Sequence, residues 1–301
     1  MDKNGRDLVG YGANVPVGPW PAGARLAVSL VVNYEEGSER TLAADGENEG
    51  LGEVTRDVGS GHRDLATESV YEYGSRAGVH RLLRLFDRFR VPVTFFAAAA
   101  ALEQNTEVCA GIRAGNHEVC AHGWRWSEDW KLPVQEQEVR IRKAVESIGR
   151  TCGERPVGWY SRWMASEYTR ELLVKEGGFL YDSDAYNDDL PYYTRVLGRD
   201  HLVVPYTLTY NDVRYVNPGL VGPSGFVDLL LRALNLLRAE GAERPRILNI
   251  GLHPRWSGQA GRADAVREFI ERALEYGDVW FARRREIAER WRAAYPPSSP
   301  R

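Results

Sequence analysis

Cysteine is scarce in this chain. Cys109, Cys120 and Cys152 are the only three in 301 residues, an odd number with no CxxC spacing. Neither a disulfide framework nor a structural zinc site is expected from them, and they read as free, buried thiols. Long apolar runs are also missing, since no uncharged stretch reaches transmembrane length. Asp2, Lys3, Asn4 and Gly5 after the first methionine carry no apolar signal core, so a cytoplasmic protein is expected. Nor does one charge dominate: 39 Lys and Arg face 42 Asp and Glu, a formal net charge of −3. That balance excludes nucleic acid and anionic membrane as main partners and leaves a small molecule as the expected one.

A sizeable core is present, with 43% hydrophobic residues in an ordinary globular length. "RLAVSLVVNY", residues 25–34, is a near-continuous apolar run of the kind buried on both faces of a parallel sheet. "GVHRLLRLFDRFR" then has apolar residues at helical spacing, and "VPVTFFAAAAAL" reads as a strand feeding a helix. Strand and helix patterns go on alternating through "HEVCAHG", "VQEQEVRIRKAVESIG", "PVGWYS", "YTRELLVKEG", "LYDSD", "LVVPYTL", "GFVDLLLRALNLLRAEG", "RILNIGLH", "GRADAVREFIERALEYG" and "VWFARRREIAERWRA". The rhythm predicts one α/β barrel-like domain over 1–301, with an ordered N-terminal arm at 1–24, a long Gly-rich acidic loop at 37–67 and a frayed tail at 295–301.

In barrels of parallel strands the chemistry gathers at the C-terminal strand tips. Each apolar run here ends in polar residues: Glu35 and Glu36; His122 and Arg125; Tyr160 and Arg162; Asp182 and Asp184; His253 and Arg255. In "CAHGWRWSEDW", His122 is followed four residues later by Trp126, where a second histidine would have made a metal clamp. An indole cannot ligate a metal, and Asp129, seven residues beyond His122, is the one remaining candidate nearby. His62, His80 and His201 match nothing catalytic and read as surface or packing residues.

Taken together, "NYEEG", "ESVYEYGSRAGVHRLLRLF", "HEVCAHGWRW", "ERPVGWYSR", "KEGGFLYDSDAYNDDLPYY", "HLVVPYTLTYNDVRY" and "IGLHPRWSGQAGRADAVREFIE" resemble, in the same order, the polysaccharide deacetylase (NodB homology) family and its PuuE-type allantoinase-like branch. The resemblance implies the family's α/β fold, a distorted (β/α) barrel of about seven strands. It sets Glu35 in the position of the family's catalytic base and Glu36 in that of a metal ligand. His122 matches the first of two histidine ligands, with Trp126 at the second. Arg162 matches the arginine motif, Asp182 and Asp184 loosely the aspartate motif, and His253 the histidine that acts as general acid. The branch carries the same His-Gly-Trp-Arg-Trp arrangement and is understood to work without metal, so neither metal nor other cofactor is expected. Family members commonly form oligomers, which implies a homodimer or homotetramer. The chain departs from the branch in "RWMASEYTREL", which lacks the Gly and Pro of the allantoinase turn, so Trp163, Met164 and Glu167 are expected to reshape one pocket wall.

The expected activity is hydrolysis of a non-peptide carbon–nitrogen bond, in a cyclic ureide or a linear amide of a small polar molecule. Such chemistry needs a base for water, donors for the oxyanion and an acid for the leaving nitrogen. Glu35 or Glu36 is the candidate base, two neighbouring carboxylates whose side chains should point apart in an extended strand. His253 is the candidate acid, and His122, Arg125 and Arg162 are candidate donors, Arg125 being equally able to pair with Glu128 or Asp129. Tyr160, Trp126, Trp163 and Asp184 complete the expected substrate-binding set. Metal-dependent deacetylation of an N-acetylated amino sugar, and a catalytically silent ligand-binding relative, are the alternatives.

Overall fold

The structure is a computed structural model that describes residues 6–50, 58–59, 61–216 and 223–297. Its elements alternate much as the patterns predict. β1 (Leu26–Tyr34) leads through the short α1 (Leu42–Asp45) to α2 (Leu65–Tyr73), a π-turn at Gly74–Gly78, and α3 (Val79–Phe89). Then come β2 (Thr94–Ala97), α4 (Ala99–Gln104), α5 (Thr106–Ala114), β3 (Glu118–Ala121), α6 (Val134–Cys152), β4 (Gly158–Trp159), α7 (Thr169–Glu176) and β5 (Tyr181–Asp182). The chain continues with β6 (Tyr192–Val196), β7 (Arg199–Val203), α8 (Pro223–Glu240), β8 (Arg246–Leu252), α9 (Pro254–Ser257), α10 (Ala260–Glu275), β9 (Val279–Phe281) and α11 (Arg284–Ala294). None of the described helices is long and apolar enough to cross a membrane.

The strands form a curled half-barrel in the order β6-β7-β5-β4-β3-β2-β1-β8, with β9 paired to the first residues of β1. Every pairing is parallel except the β6–β7 hairpin, so the tips of β1, β3, β4, β5 and β8 share one end. Nine strands form among the described residues where the resemblance implies about seven; of these, β6, a mostly half-exposed strand in a polar stretch, is the one the sequence patterns do not announce. The barrel is completed by chain rather than by a strand pairing: Asn211 forms an isolated parallel bridge with Gly251 of β8.

β1 shows how period-2 geometry sorts the core. All nine residues are buried, and Leu26, Val28, Leu30, Val32 and Tyr34 pack outward with the helices. Ala27 and Val31 face inward with Phe96, Tyr160, Tyr181 and Tyr206. The same parity carries Ser29 and Asn33 inside, and Asn33 Nδ2 donates to the Tyr206 hydroxyl at 3.0 Å. Arg284, with no exposed surface, braces the interior by donating to Ser183 Oγ, Asn249 Oδ1 and the carbonyls of Val204 and Pro205. Such a buried cation is tolerated because each of its three guanidinium nitrogens finds an acceptor.

Three expectations are corrected here. Cys109 and Cys152 are not free thiols: they form a disulfide joining α5 to α6, and Cys120 alone stays free and buried. The expected long loop contains α1, capped by Thr41 Oγ1, and ends in the first residues of α2; residues 51–57 and 60 lie outside the described residues. The expected frayed tail is anchored at its start, where the Tyr295 ring packs at a tilt against Trp291 and its hydroxyl donates to Val17 O at 2.8 Å; residues 298–301 lie outside the described residues. Of the expected N-terminal arm, residues 1–5 lie outside the described residues, and the described part packs through Trp20, whose Nε1 donates to Arg246 O at 3.0 Å.

Candidate active site

Parity along β1 decides the two carboxylates. Glu35 continues the inward series into the barrel mouth, and Glu36 turns outward against the π-turn. A Cβ on Gly74 would lie 2.4 Å from Glu36 Oε1, so only glycine leaves room there. Glu36 Oε2 accepts from the Glu35 backbone N–H at 2.9 Å, which ties the pair together from behind.

Glu35 Oε1 lies 3.4 Å from His122 Nε2 and 3.6 Å from His253 Nε2. Its second oxygen, Oε2, accepts from an Nη of Arg255 at 2.8 Å. The four residues are 1–6% exposed. Each imidazole is held from its far side. His122 Nδ1 donates to Tyr160 O at 2.8 Å, and the two rings stack at 5.0 Å. A carbonyl only accepts, so Nδ1 carries a proton there, and Nε2 is the atom turned toward Glu35. His253 Nδ1 sits 2.6 Å from Asp212 Oδ1, and Asp212 Oδ2 accepts from the His253 N–H at 2.7 Å and Ser257 Oγ at 2.6 Å.

Burial works against the charge on Glu35, yet Arg255, His253 and His122 outweigh it and hold the carboxyl well below the usual carboxylate range. Burial pushes the Glu36 carboxyl up, opposed by Arg255 and reinforced by the Glu35 charge. Burial also disfavours the His253 imidazolium, but Asp212 and Glu35 reverse the balance and raise it to about 9. The cluster therefore presents an ionised carboxylate and a protonated imidazole side by side.

The expected binding residues divide. Tyr160 buttresses His122 and hydrogen bonds through its hydroxyl to Tyr186 at 2.7 Å. Trp126 is buried, its ring 6.1 Å from Tyr71 and 5.6 Å from the Arg255 guanidinium. Arg125 does not meet the cluster, nor does it pair with Glu128 or Asp129. It binds Asp45 at 2.5 and 2.8 Å and the carbonyls of Ser38 and Glu39, fastening the 38–45 segment over the site. Arg162 is also spent elsewhere: it grips Glu49 at 2.6 and 3.2 Å and Trp126 O at 2.7 Å, 3.6 Å above the Trp126 ring. Asp184 accepts from Ser161 N and Oγ at 2.7 and 2.9 Å, and burial together with Asp182 lifts it to about 7. Trp163, 57% exposed at the rim, takes φ 61°, a left-handed conformation that glycine adopts freely, at the point where the chain departs from the allantoinase turn. His201 is buried against Asp182 at 2.8 Å and His62 is exposed, both away from the cluster.

The residues present do not fit a bound metal. Trp126 offers no lone pair, Glu36 is turned away, and Arg255 already takes one oxygen of Glu35. Asp129 Oδ1 is taken by Ser127 Oγ at 2.7 Å and Arg140 at 2.9 Å, and among the described residues no group of three His, Cys, Asp or Glu is placed to hold an ion. Asp212 and Arg255 join the cluster without belonging to the expected set of site residues. Arg255 was legible as a strand-tip residue without a role, and Asp212 lies in a short 3₁₀ turn at Asp212–Tyr215 that no apolar run announces.

A carboxylate and two imidazoles converging at the C-terminal tips of a curled parallel sheet define a barrel protein with an acid–base site. The polysaccharide deacetylase family model matches residues 66–178, a span that holds His122 and Arg162. A "putative polysaccharide deacetylase" of Schizosaccharomyces pombe is 36% identical over 97% of this chain and 98% of its own. Among solved structures, a "probable polysaccharide deacetylase" from Pseudomonas aeruginosa is 43% identical, with TM-score 0.92, covering 97% of this chain and 99% of that one. Puue allantoinase is 44% identical, again with TM-score 0.92, covering 97% and 98%. The chain belongs to the polysaccharide deacetylase family.

Proposed function

We propose that this protein hydrolyses a non-peptide carbon–nitrogen bond, in a cyclic ureide or a linear amide of a small polar molecule, without a metal. One observation carries the reading: a single carboxylate oxygen, Glu35 Oε1, faces Nε2 of both His122 and His253 at 3.4 and 3.6 Å. The similarity to Puue allantoinase over nearly the whole chain supports the same chemistry.

A water bound to Glu35 Oε1 donates one hydrogen to it, leaving its own lone pair to attack the carbonyl carbon. Glu35 takes the proton as the new carbon–oxygen bond forms. His253, protonated through Asp212, gives its Nε2 proton to the departing nitrogen as the carbon–nitrogen bond breaks. His122, held by the Tyr160 carbonyl and 3.4 Å from Glu35 Oε1, stands beside the base at the place expected for a donor to the oxyanion. The experiment is a hydrolysis screen of ureides, lactams, formamides and acetamides with chelator present. Turnover of a ureide or simple amide is the expected result. Acetate released from N-acetylated amino sugars only after metal is added would overturn the proposal in favour of the family's metal-dependent deacetylation.

A further inference from the structure

We propose that a small polar cavity beside His122 is a substrate subsite for a second, uncleaved primary amide, so that the molecule hydrolysed carries a CONH2 end besides the bond that is broken. The inference rests on the hydrolytic reading above and narrows it. His122 at the tip of β3, Asp129 and Trp130 beyond it, and Arg162, Met164 and Ser166 after β4 line the cavity. Its volume open to the centres of water-sized groups is about 20 Å³, more than the roughly 10–15 Å³ that one water needs. The terminal atoms of one planar polar group fit that space.

Two buried donors in this wall lack acceptors. Arg162 is 3% exposed, and its two Nη atoms are engaged with Glu49, one of them also with the Trp126 carbonyl. Glu49 is not part of the cavity wall, so the edge of the guanidinium turned away from it, which carries Nε, is the edge left to the cavity. That Nε and the Trp130 indole Nε1 are buried and find no acceptor among the described residues. A buried donor left unpaired is costly, so both are suited to a ligand oxygen. The opposite need lies beside them. Asp129 Oδ1 accepts from Ser127 Oγ and Arg140, whereas Oδ2, which faces Gly123 in the same wall, accepts from nothing among the described residues. Burial pushes this carboxyl up against the opposing pull of Ser127 and Arg140, as expected of a carboxylate short of donors.

Two N–H donors and one carboxylate acceptor select among small groups. A carboxylate satisfies the donors but meets the charge of Asp129. An ammonium satisfies Asp129 but meets Arg162 and leaves both donors unpaired. A primary amide serves all three, since its oxygen has two lone pairs for Arg162 and Trp130 and its nitrogen gives a hydrogen to Asp129. A hydroxyl or a water has the same count on a single atom, and the test below separates them. The wall is braced from behind: Ser166 Oγ donates to Gln137 Oε1 at 2.6 Å and Gln137 Nε2 to Leu132 O at 2.8 Å, which ties the loop after β4 to the start of α6. Met164 and Ser166 belong to the stretch in which this chain departs from the allantoinase turn, so that departure shapes the subsite.

The test adds matched sets to the hydrolysis screen: ureides and amides ending in CONH2, and the same compounds ending in a methyl, a hydroxyl or a carboxylate. Wild-type kcat/KM should favour the CONH2 member of each set by roughly 10²-fold or more. Trp130→Phe, which removes one N–H and keeps a ring, should raise KM for the CONH2 compounds by about tenfold, with kcat little changed and the methyl compounds unaffected. Asp129→Asn keeps an acceptor for Ser127 and Arg140 but turns an N–H toward the cavity, so the preference for CONH2 over carboxylate should narrow by about tenfold or more. If a variant does not fold, the wild-type preference decides. Equal turnover across the wild-type sets, as for a cavity that holds water alone, a preference for the hydroxyl member, or variants that weaken every member alike overturns the subsite and leaves the proposed function standing. Should nothing be turned over, saturation-transfer NMR with succinamide, succinate and butane-1,4-diol decides. Binding of succinamide above the other two that is lost in Trp130→Phe keeps the subsite while the proposed function falls, and no such binding ends both.

Discussion

Asp212→Asn removes one negative charge from behind His253 and keeps the side chain's shape. Asp212 is fully buried and makes three contacts of 2.6–2.7 Å, two to His253 and one to Ser257. Burial alone lowers the His253 pKa; Asp212 is the largest opposing influence and Glu35 the next, and together they carry it from 6.5 to about 9. A displacement of that size corresponds to about 3 kcal/mol of preference for the imidazolium. With asparagine in place, burial regains weight, and the alkaline limb of kcat/KM should fall by about two pH units. The same group links pH to stability. Its folded pKa lies above its unfolded value, so its contribution is fully present below 6.5 and is lost as pH rises through about 9. Across that window the wild type should lose melting temperature through this group, and the variant should lose much less. The assays are a pH series of initial rates on a substrate from the hydrolysis screen and a matching series of thermal melts. An alkaline limb that stays near pH 9 in a folded Asp212→Asn variant would show that the His253–Asp212 pair does not set it, and the assignment of His253 as acid would fall.

Glu35→Gln should lower turnover by roughly 10²–10⁴-fold with little change in affinity, while Glu36→Gln, whose outward carboxyl keeps an acceptor for the Glu35 N–H, should cost less than about tenfold; equal losses would refute the division of roles. Purified protein should hold well under one zinc, iron or manganese per chain and keep its activity in chelator, and stoichiometric metal with chelator-sensitive activity would sink the metal-free mechanism. Reduction of Cys109–Cys152, which spans 43 residues, should lower stability by up to about 4 kcal/mol, read as a drop in melting temperature with reductant that Cys109→Ser reproduces. Light scattering at micromolar concentration should report a dimer or tetramer, and a monomeric mass would count against assembly.

Apolar runs made the strand tips legible, and with them Glu35, Glu36, His122 and His253, because a parallel sheet buried on both faces writes its strands as continuous hydrophobic segments. The parity that separates Glu35 from Glu36 was readable in principle, but which side faced the mouth depended on the curl of the sheet. Partners of the charged residues were not readable. Arg125 reaches Asp45, 80 residues back, and Arg162 reaches Glu49, 113 residues back, both in a Gly-rich acidic stretch that carries no periodic signal. Asp212 is 41 residues from His253 and meets it only through the turn that completes the barrel. The disulfide escaped for the same reason: Cys109 and Cys152 come together only because α5 packs beside α6.

Trp126 carries a consequence for how this branch could change. Restoring histidine there would put an imidazole four residues beyond His122, but the site the indole fills lies 3.6 Å from the Arg162 guanidinium and 5.6 Å from that of Arg255. Two fixed positive charges at that range repel a divalent ion, and each holds a carboxylate that an ion would need. A histidine placed there alone therefore yields a crowded pocket flanked by two guanidinia rather than a metalloenzyme. The guanidinia have to be removed first, and removing either one strands a buried carboxylate, Glu49 or Glu35. A metal site at this barrel mouth therefore asks for several coordinated substitutions, and a chain carrying only some of them keeps a buried charge without its partner.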